Sequence, residues 1–185
     1  MKIVSEGIQN KFPFEKCCRQ ILSVLPSKDI AGIQEIRFVN KFTHTKSDPE
    51  ALATYLKDGY KKSGKIEINF ANLKKHKIPE YLFESHPEIA ALFLSEIISH
   101  EIGHHAHHYH RHGVKKKRFE DFSAKYAKAG YFSYLRSRSK EILSSYRYSS
   151  LNILAYDKDA RKKFEASRQG LIDWLNQHKE GIKFP

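Results

Sequence analysis

Apolar positions recur so densely between residues 87 and 112 that they predict one long, buried helix. Ile89, Ala90, Leu92, Leu94 and Ile98 make its first half apolar nearly all round, the pattern of a helix running through the middle of a fold. Phe93, Ile97, His100 and His104 follow at steps of four, three and four. One edge therefore passes from apolar side chains to imidazoles without leaving the core-facing side. Pro87 suits the first helical position and Gly113 the stop. Gly103 costs helix propensity in mid-helix, which predicts close approach of another backbone there.

Upstream, residues 14–25 carry helical spacing (Phe14, Cys17, Cys18, Ile21, Leu22, Leu25) and stop before Pro26. Residues 33–39 alternate loosely and predict a strand, 40–49 a polar loop, and 51–56 a strand or short helix, with the strand preferred. Residues 65–70 alternate clearly, with Ile66, Ile68 and Phe70 on one face. The stretch 67–72 is a candidate sheet rim, with a plain central strand as the alternative. Residues 74–86 read as a connector with a helical turn at Tyr81-Leu82-Phe83. Downstream, 119–128 forms a helix with Phe119, Phe122 and Tyr126 on one face and Gly130 ending it. A further helix covers 131–146, and a last helical region opens at Asp157, with Ala160, Phe164, Leu171, Trp174 and Leu175 among its apolar members. The expected class is α+β: a small mixed sheet packed on the long helix, followed by a helical part. Residues 1–185 read as a single domain, 1–86 holding the sheet and 87–185 the helices.

With 40% hydrophobic and 29% charged residues the chain is globular rather than disordered. Its longest apolar run, 89–94, is too short to cross a bilayer, and its first six residues have no signal-segment character. Cys17 and Cys18 are the only cysteines, and adjacent ones are no use as a staple, which points to a reducing cytoplasm. The net charge of +12 draws the chain to acidic surfaces, nucleic acid among them. Lys and Arg are spread widely, however, with one knot at Arg111, Lys115, Lys116, Lys117 and Arg118 that also reads as a solvated helix end.

The chemistry lies in His100-Glu101-Ile102-Gly103-His104. Histidines four apart lie one turn above the other and can aim both imidazoles at one ion. Glu101, rotated about 100° from His100, sits beside the ion, where a carboxylate can take a proton from water. That is the physical content of the zinc-peptidase motif. A third protein ligand is needed, with the fourth position open to water. His110 has the spacing of a third metzincin histidine, but His107 stands where that motif needs glycine, and the only methionine is Met1. His108 lies a further turn along, about 6 Å per step, too far to share an ion with His100. The remaining choice is a carboxylate on the following helix, as in gluzincins. Glu120 is preferred because a helix start suits an acid, with Asp121 beside it and Glu141 more distant.

The motif with His108 after it resembles the His-Glu-Leu-Gly-His-x-x-x-His signature of ImmA/IrrE-type metallopeptidases. Residues 120–127, Glu-Asp-Phe-Ser-Ala-Lys-Tyr-Ala, are similar to that family's second motif, and the strand Ile66-Glu67-Ile68-Asn69 fits its upstream strand. The resemblance spans residues 65–131 and lacks the Leu-Leu-Met-Pro that usually follows. It implies a zincin-like fold, zinc held by His100, His104 and Glu120, Glu101 as catalytic base, and a protein substrate. SprT-like proteases, which act on DNA-bound proteins, are the runner-up; they use a third histidine instead of the glutamate. A donor for the oxyanion is sought among Tyr131, Tyr146 and Tyr148. The rival from another class is a non-catalytic metal-binding protein, since seven of eleven histidines fall between His100 and His112. A third class is a nucleic-acid binder with a vestigial site.

Overall fold

A computed structural model describes residues 1–5, 7–8, 11–44, 47–58, 63–78, 80–110, 116–145, 158–178 and 183–185. Four strands form one mixed sheet in the order β1-β2-β4-β3, namely β1 (Lys2–Ser5), β2 (Ile33–Val39), β3 (Ala53–Lys57) and β4 (Gly64–Asn69). β1, β2 and β4 run parallel, and β3 closes one edge antiparallel to β4. Helices α1 (Phe14–Ser23) and α2 (Ser27–Ile30) connect β1 to β2. After the sheet come α3 (Phe70–His76), α4 (Glu80–Ser85), α5 (Pro87–His110) and α6 (Lys116–Ser137). A helical run α7 over 139–145 and α8 (Lys158–Gln177) follow. The architecture is α+β, as the alternation of short strands and long helical patterns predicts.

The inner face of the sheet is carried by Ile36, Phe38, Ile66 and Ile68, all fully buried against the helices. The loose alternation of β2 has a local cause: its register against β4 shifts between Ile33 and Glu35. The irregularity lets Ile33 and Ile36, three apart, both turn inward. The opposite face is polar, with Glu35 bridging Arg37 (2.9 Å) and Lys65 (3.5 Å).

α5 is the central element. From Ile89 to His107 most of its side chains are buried, and it touches α1, α2, α4, α6 and the β3–β4 edge. The carbonyl of His86 accepts the N–H groups of Ile89 (3.0 Å) and Ala90 (3.1 Å), so Pro87, which has no N–H to place, opens the helix as predicted. Gly113 lies outside the described residues.

Several expectations need correction. β4 lies inside the sheet, between β2 and β3, so residues 67–72 are no rim; β3 is the edge. The strand ends at Asn69, whose side chain accepts the Asn72 N–H (3.1 Å) and starts α3. Phe70 is therefore helical and buried, and much of the supposed connector 74–86 is helix. The N-terminal strand β1 carries too short a pattern to have been read. Gly130 does not end a helix: α6 runs through it to Ser137. A Cβ at Gly130 would lie 1.9 Å from Ser99 Oγ and 2.4 Å from Ser99 Cβ. Gly130 is thus a point of contact with α5. The opening of the last helix at Asp157 and the Phe164 side chain lie outside the described residues.

Two predictions follow from this packing. Gly130→Ala should destabilise the fold by roughly 1–3 kcal/mol in urea denaturation, the cost of overpacking a tight contact, and adding Ser99→Gly should recover part of it. Burial pushes the Cys17 thiol up to about 12 and raises that of Cys18 as well. Neither should react with iodoacetamide at mildly alkaline pH until the protein is unfolded in guanidinium.

Candidate metal centre

The site is built where α5 and α6 cross. They run antiparallel, so His107 packs on Phe119 (ring centroids 4.1 Å apart), Gly103 meets Ser123, and Ser99 meets Gly130. A Cβ at Gly103 would sit 2.8 Å from the Ser123 Cα, so only glycine lets the backbones come this close. The mid-helix glycine has the close approach its propensity cost predicted.

At this crossing the two imidazoles converge, His100 Nε2 and His104 Nε2 lying 3.1 Å apart. Glu120 reaches over from the first turns of α6 and straddles them. Its Oε2 is 3.5 Å from His100 Nε2, and its Oε1 is 3.7 Å from His104 Nε2. Burial lowers the pKa of both histidines; the neighbouring His100 lowers that of His104 further, while Glu120 opposes both shifts. Both rings are therefore neutral at pH 7, the form that ligates metals. His104 Nδ1 lies 3.0 Å from the hydroxyl of buried Ser123. With Nδ1–H donating to that oxygen, Nε2 presents its lone pair to the site.

Glu101 is buried beside them, 6% exposed. Burial and the nearby charge of Glu120 push its carboxyl up to about 8, and the main-chain N–H of Tyr55 on β3, donating to it, pulls the other way. One ligating atom each from His100, Glu101 and His104 lie within 4.8 Å of one another, so these residues can hold a metal ion. The donor set fits zinc. Imidazole nitrogens about 2 Å from a tetrahedral ion lie about 3.3 Å apart, close to the separation found. A cation placed between them would also answer the charge of Glu120 and favour the ionised form of Glu101, which burial and that charge otherwise oppose.

β3 forms the other wall. The Leu52 carbonyl accepts the Asn69 N–H (2.9 Å), so by alternation Ala53, Tyr55 and Lys57 turn their main-chain groups to the open edge. The Tyr55 N–H that reaches Glu101 belongs to that set. His105 pins the strand from below. Its Nε2–H donates to the Ala31 carbonyl (2.7 Å), which can only accept, and its Nδ1 then takes the Tyr55 hydroxyl (2.9 Å).

Of the residues singled out by spacing, the structure brings together His100, Glu101, His104 and Glu120. Asp121 is exposed on the next position of α6, and Glu141 pairs with Arg138 (3.2 Å). A cavity over His100, Glu101, His104 and Glu120 is also lined by His108, one turn beyond His104. Tyr131 packs against the core beside Phe132. Tyr146, Tyr148, Arg111 and Lys115 lie outside the described residues, as do the side chains of His110, Lys116 and Lys117, and Arg118 is exposed. Ser123, Tyr55 and His105 were missed. Ser123 stands three residues after Glu120, on the same helical face, a spacing that could have marked it; the other two depend on which strand ends up beside α5.

Ser123→Ala should weaken zinc binding roughly 10- to 100-fold, the usual effect of losing a group that orients a ligating histidine. Competition with a chromophoric chelator measures this, and circular dichroism should show the fold unchanged. No protein-family model matches the chain, and no curated protein or solved structure matches it either.

Proposed function

We propose that this protein is a zinc-dependent endopeptidase of zincin-like architecture, with His100, His104 and Glu120 as metal ligands and Glu101 as general base. The observation that carries the reading is the meeting of four groups at one point. Two neutral imidazoles and a carboxylate from a second helix face one another, a buried carboxylate stands beside them, and an open sheet edge runs past. Glu120 as third ligand favours the gluzincin and ImmA/IrrE-type resemblance over the SprT-like reading.

Zinc, when bound, polarises the scissile carbonyl and makes water acidic enough to attack near neutral pH. The rest is the work of the chain. An extended peptide pairs with the main-chain groups of Ala53 and Lys57 on the β3 edge, which lays its backbone across Glu101. Cavities open on both sides of His100 and Glu101, leaving room for chain on either side of the bond, as cleavage within a chain requires. With a cation at the ligands favouring its ionised form over the protonated one that burial prefers, Glu101 takes a proton from the attacking water at its carboxylate and delivers it to the departing amide nitrogen as the C–N bond breaks. Ser123, at the other nitrogen of His104, keeps that ring in place meanwhile.

Histidine density alone suggests a metal buffer, but His105 and His107 are 1% and 2% exposed, and His105 spends both nitrogens on protein groups. Among the described residues no helix is long and apolar enough to cross a membrane. Together with two free, buried cysteines this accords with a cytoplasmic protein. The charge of +12 leaves a nucleic-acid-bound substrate as the second form of the same reading.

The test is zinc stoichiometry together with Glu101→Gln. The wild type should bind one tight ion and cut an unfolded protein such as casein. Glu101→Gln should keep the ion while turnover falls roughly 10²- to 10⁴-fold, and Glu120→Ala should lose tight binding. Several equivalents bound by the wild type, or casein cleavage undiminished in Glu101→Gln, would sink the proposal.

A further inference from the structure

Two cavities meet over Ala53, His100 and Glu101, and they differ in character. The larger, about 600 Å³, is polar, with Asp48, Thr54, Lys57, His108 and Glu120 on its walls. The smaller, about 390 Å³, is walled by Leu52 next to β3, Ile97 on α5, and Ala124 and Ala127 on α6. At its rim Lys77 and Glu96 form an ion pair at 3.2 Å.

We propose that the smaller cavity is the subsite that selects the substrate, taking one bulky apolar side chain, of the size of leucine, methionine or phenylalanine. That side chain belongs to a residue flanking the bond held over Glu101. The inference rests on the peptidase reading above. Three features support it. The cavity shares His100 and Glu101 with the reacting centre, so a residue flanking the bond is within its reach. Lys77 and Glu96 answer each other at the half-exposed rim, so apart from His100 and Glu101 of the reacting centre the walls offer a guest mainly apolar surface. Its α6 wall is made of two alanines one turn apart, whose short side chains leave the volume open, while Leu52 and Ile97 supply apolar surface to bury against. Burying such a side chain favours it over glycine by roughly ten- to a hundredfold.

Ala124 is the position to alter, because it lines the cavity yet is exposed on α6, so a larger residue there fills the space without entering the core. The zinc-loaded full chain is incubated with a degenerate peptide library and the cut sites are read by mass spectrometry. Leucine, methionine and phenylalanine should be enriched at one of the two positions flanking the cut, and Ala124→Phe should shift that position toward alanine and serine. In parallel, N-acetyl-leucinamide and N-acetyl-aspartamide are titrated into the metal-free protein while the methyl signals of Leu52 and Ile97 are followed by NMR. Only the leucine amide should move them, and only in the wild type. Cutting without preference, or with a preference unchanged in Ala124→Phe, overturns the subsite and leaves the peptidase reading standing. No cutting with the leucine-specific shifts intact overturns the peptidase reading and leaves the apolar-side-chain pocket. No cutting and no shifts overturns both.

Discussion

The structure depends on how closely α5 and α6 can approach. Helices normally pack 8–10 Å apart, axis to axis, set by the side chains between them. Here glycine stands on one helix where the other presents its backbone or a serine, at Gly103 against Ser123 and at Gly130 against Ser99. Between these contacts and the tilted Phe119–His107 ring contact the two helices are held side by side along their shared length. Glu120 is the beneficiary. It lies within reach of both imidazoles because its helix crosses close to Gly103; with larger residues at the crossing its carboxylate would be held farther from His100 and His104.

A second constraint comes from the sheet. β3 is the edge strand and lies along α5, with its outer main-chain groups aimed at the site. Buried His105 holds that strand through Tyr55 and, on its other nitrogen, the turn after α2 through Ala31. A second polar tie runs from the Tyr126 hydroxyl to Asp29 (3.0 Å), joining α6 to α2 across the interior. Buried polar groups of this kind are costly unless satisfied and specific in geometry once they are. These ties join the elements that carry the candidate ligands, the candidate base and the open edge.

Glycine after an apolar-periodic run reads as a helix stop, because isolated segments end where propensity falls and a left-handed residue can cap. At Gly130 the helix continues, since removing a side chain there permits contact with Ser99, and tertiary packing outweighs a propensity loss of about 1 kcal/mol. At Gly103 the loss of propensity marks a close approach of the same kind, there to the backbone of Ser123. For the sheet, alternation found β2 and β4 and the weaker β3, but strand order is not written in alternation, so the internal strand was taken for a possible rim.

By itself the sequence determined the long buried helix, the convergence of His100 and His104 on one edge of it, and the placement of Glu101 beside them. All three follow from the fixed 3.6-residue period of a helix and need no partner. It also narrowed the third candidate ligand to a carboxylate early on the next helix. Only the tertiary structure decided that Glu120 rather than Asp121 faces the histidines, that Ser123 supports His104, and that β3 supplies the open edge. Those outcomes depend on the rotation of one helix against another and on the order of strands. Both are set by contacts between residues far apart in the chain, which no local periodicity encodes.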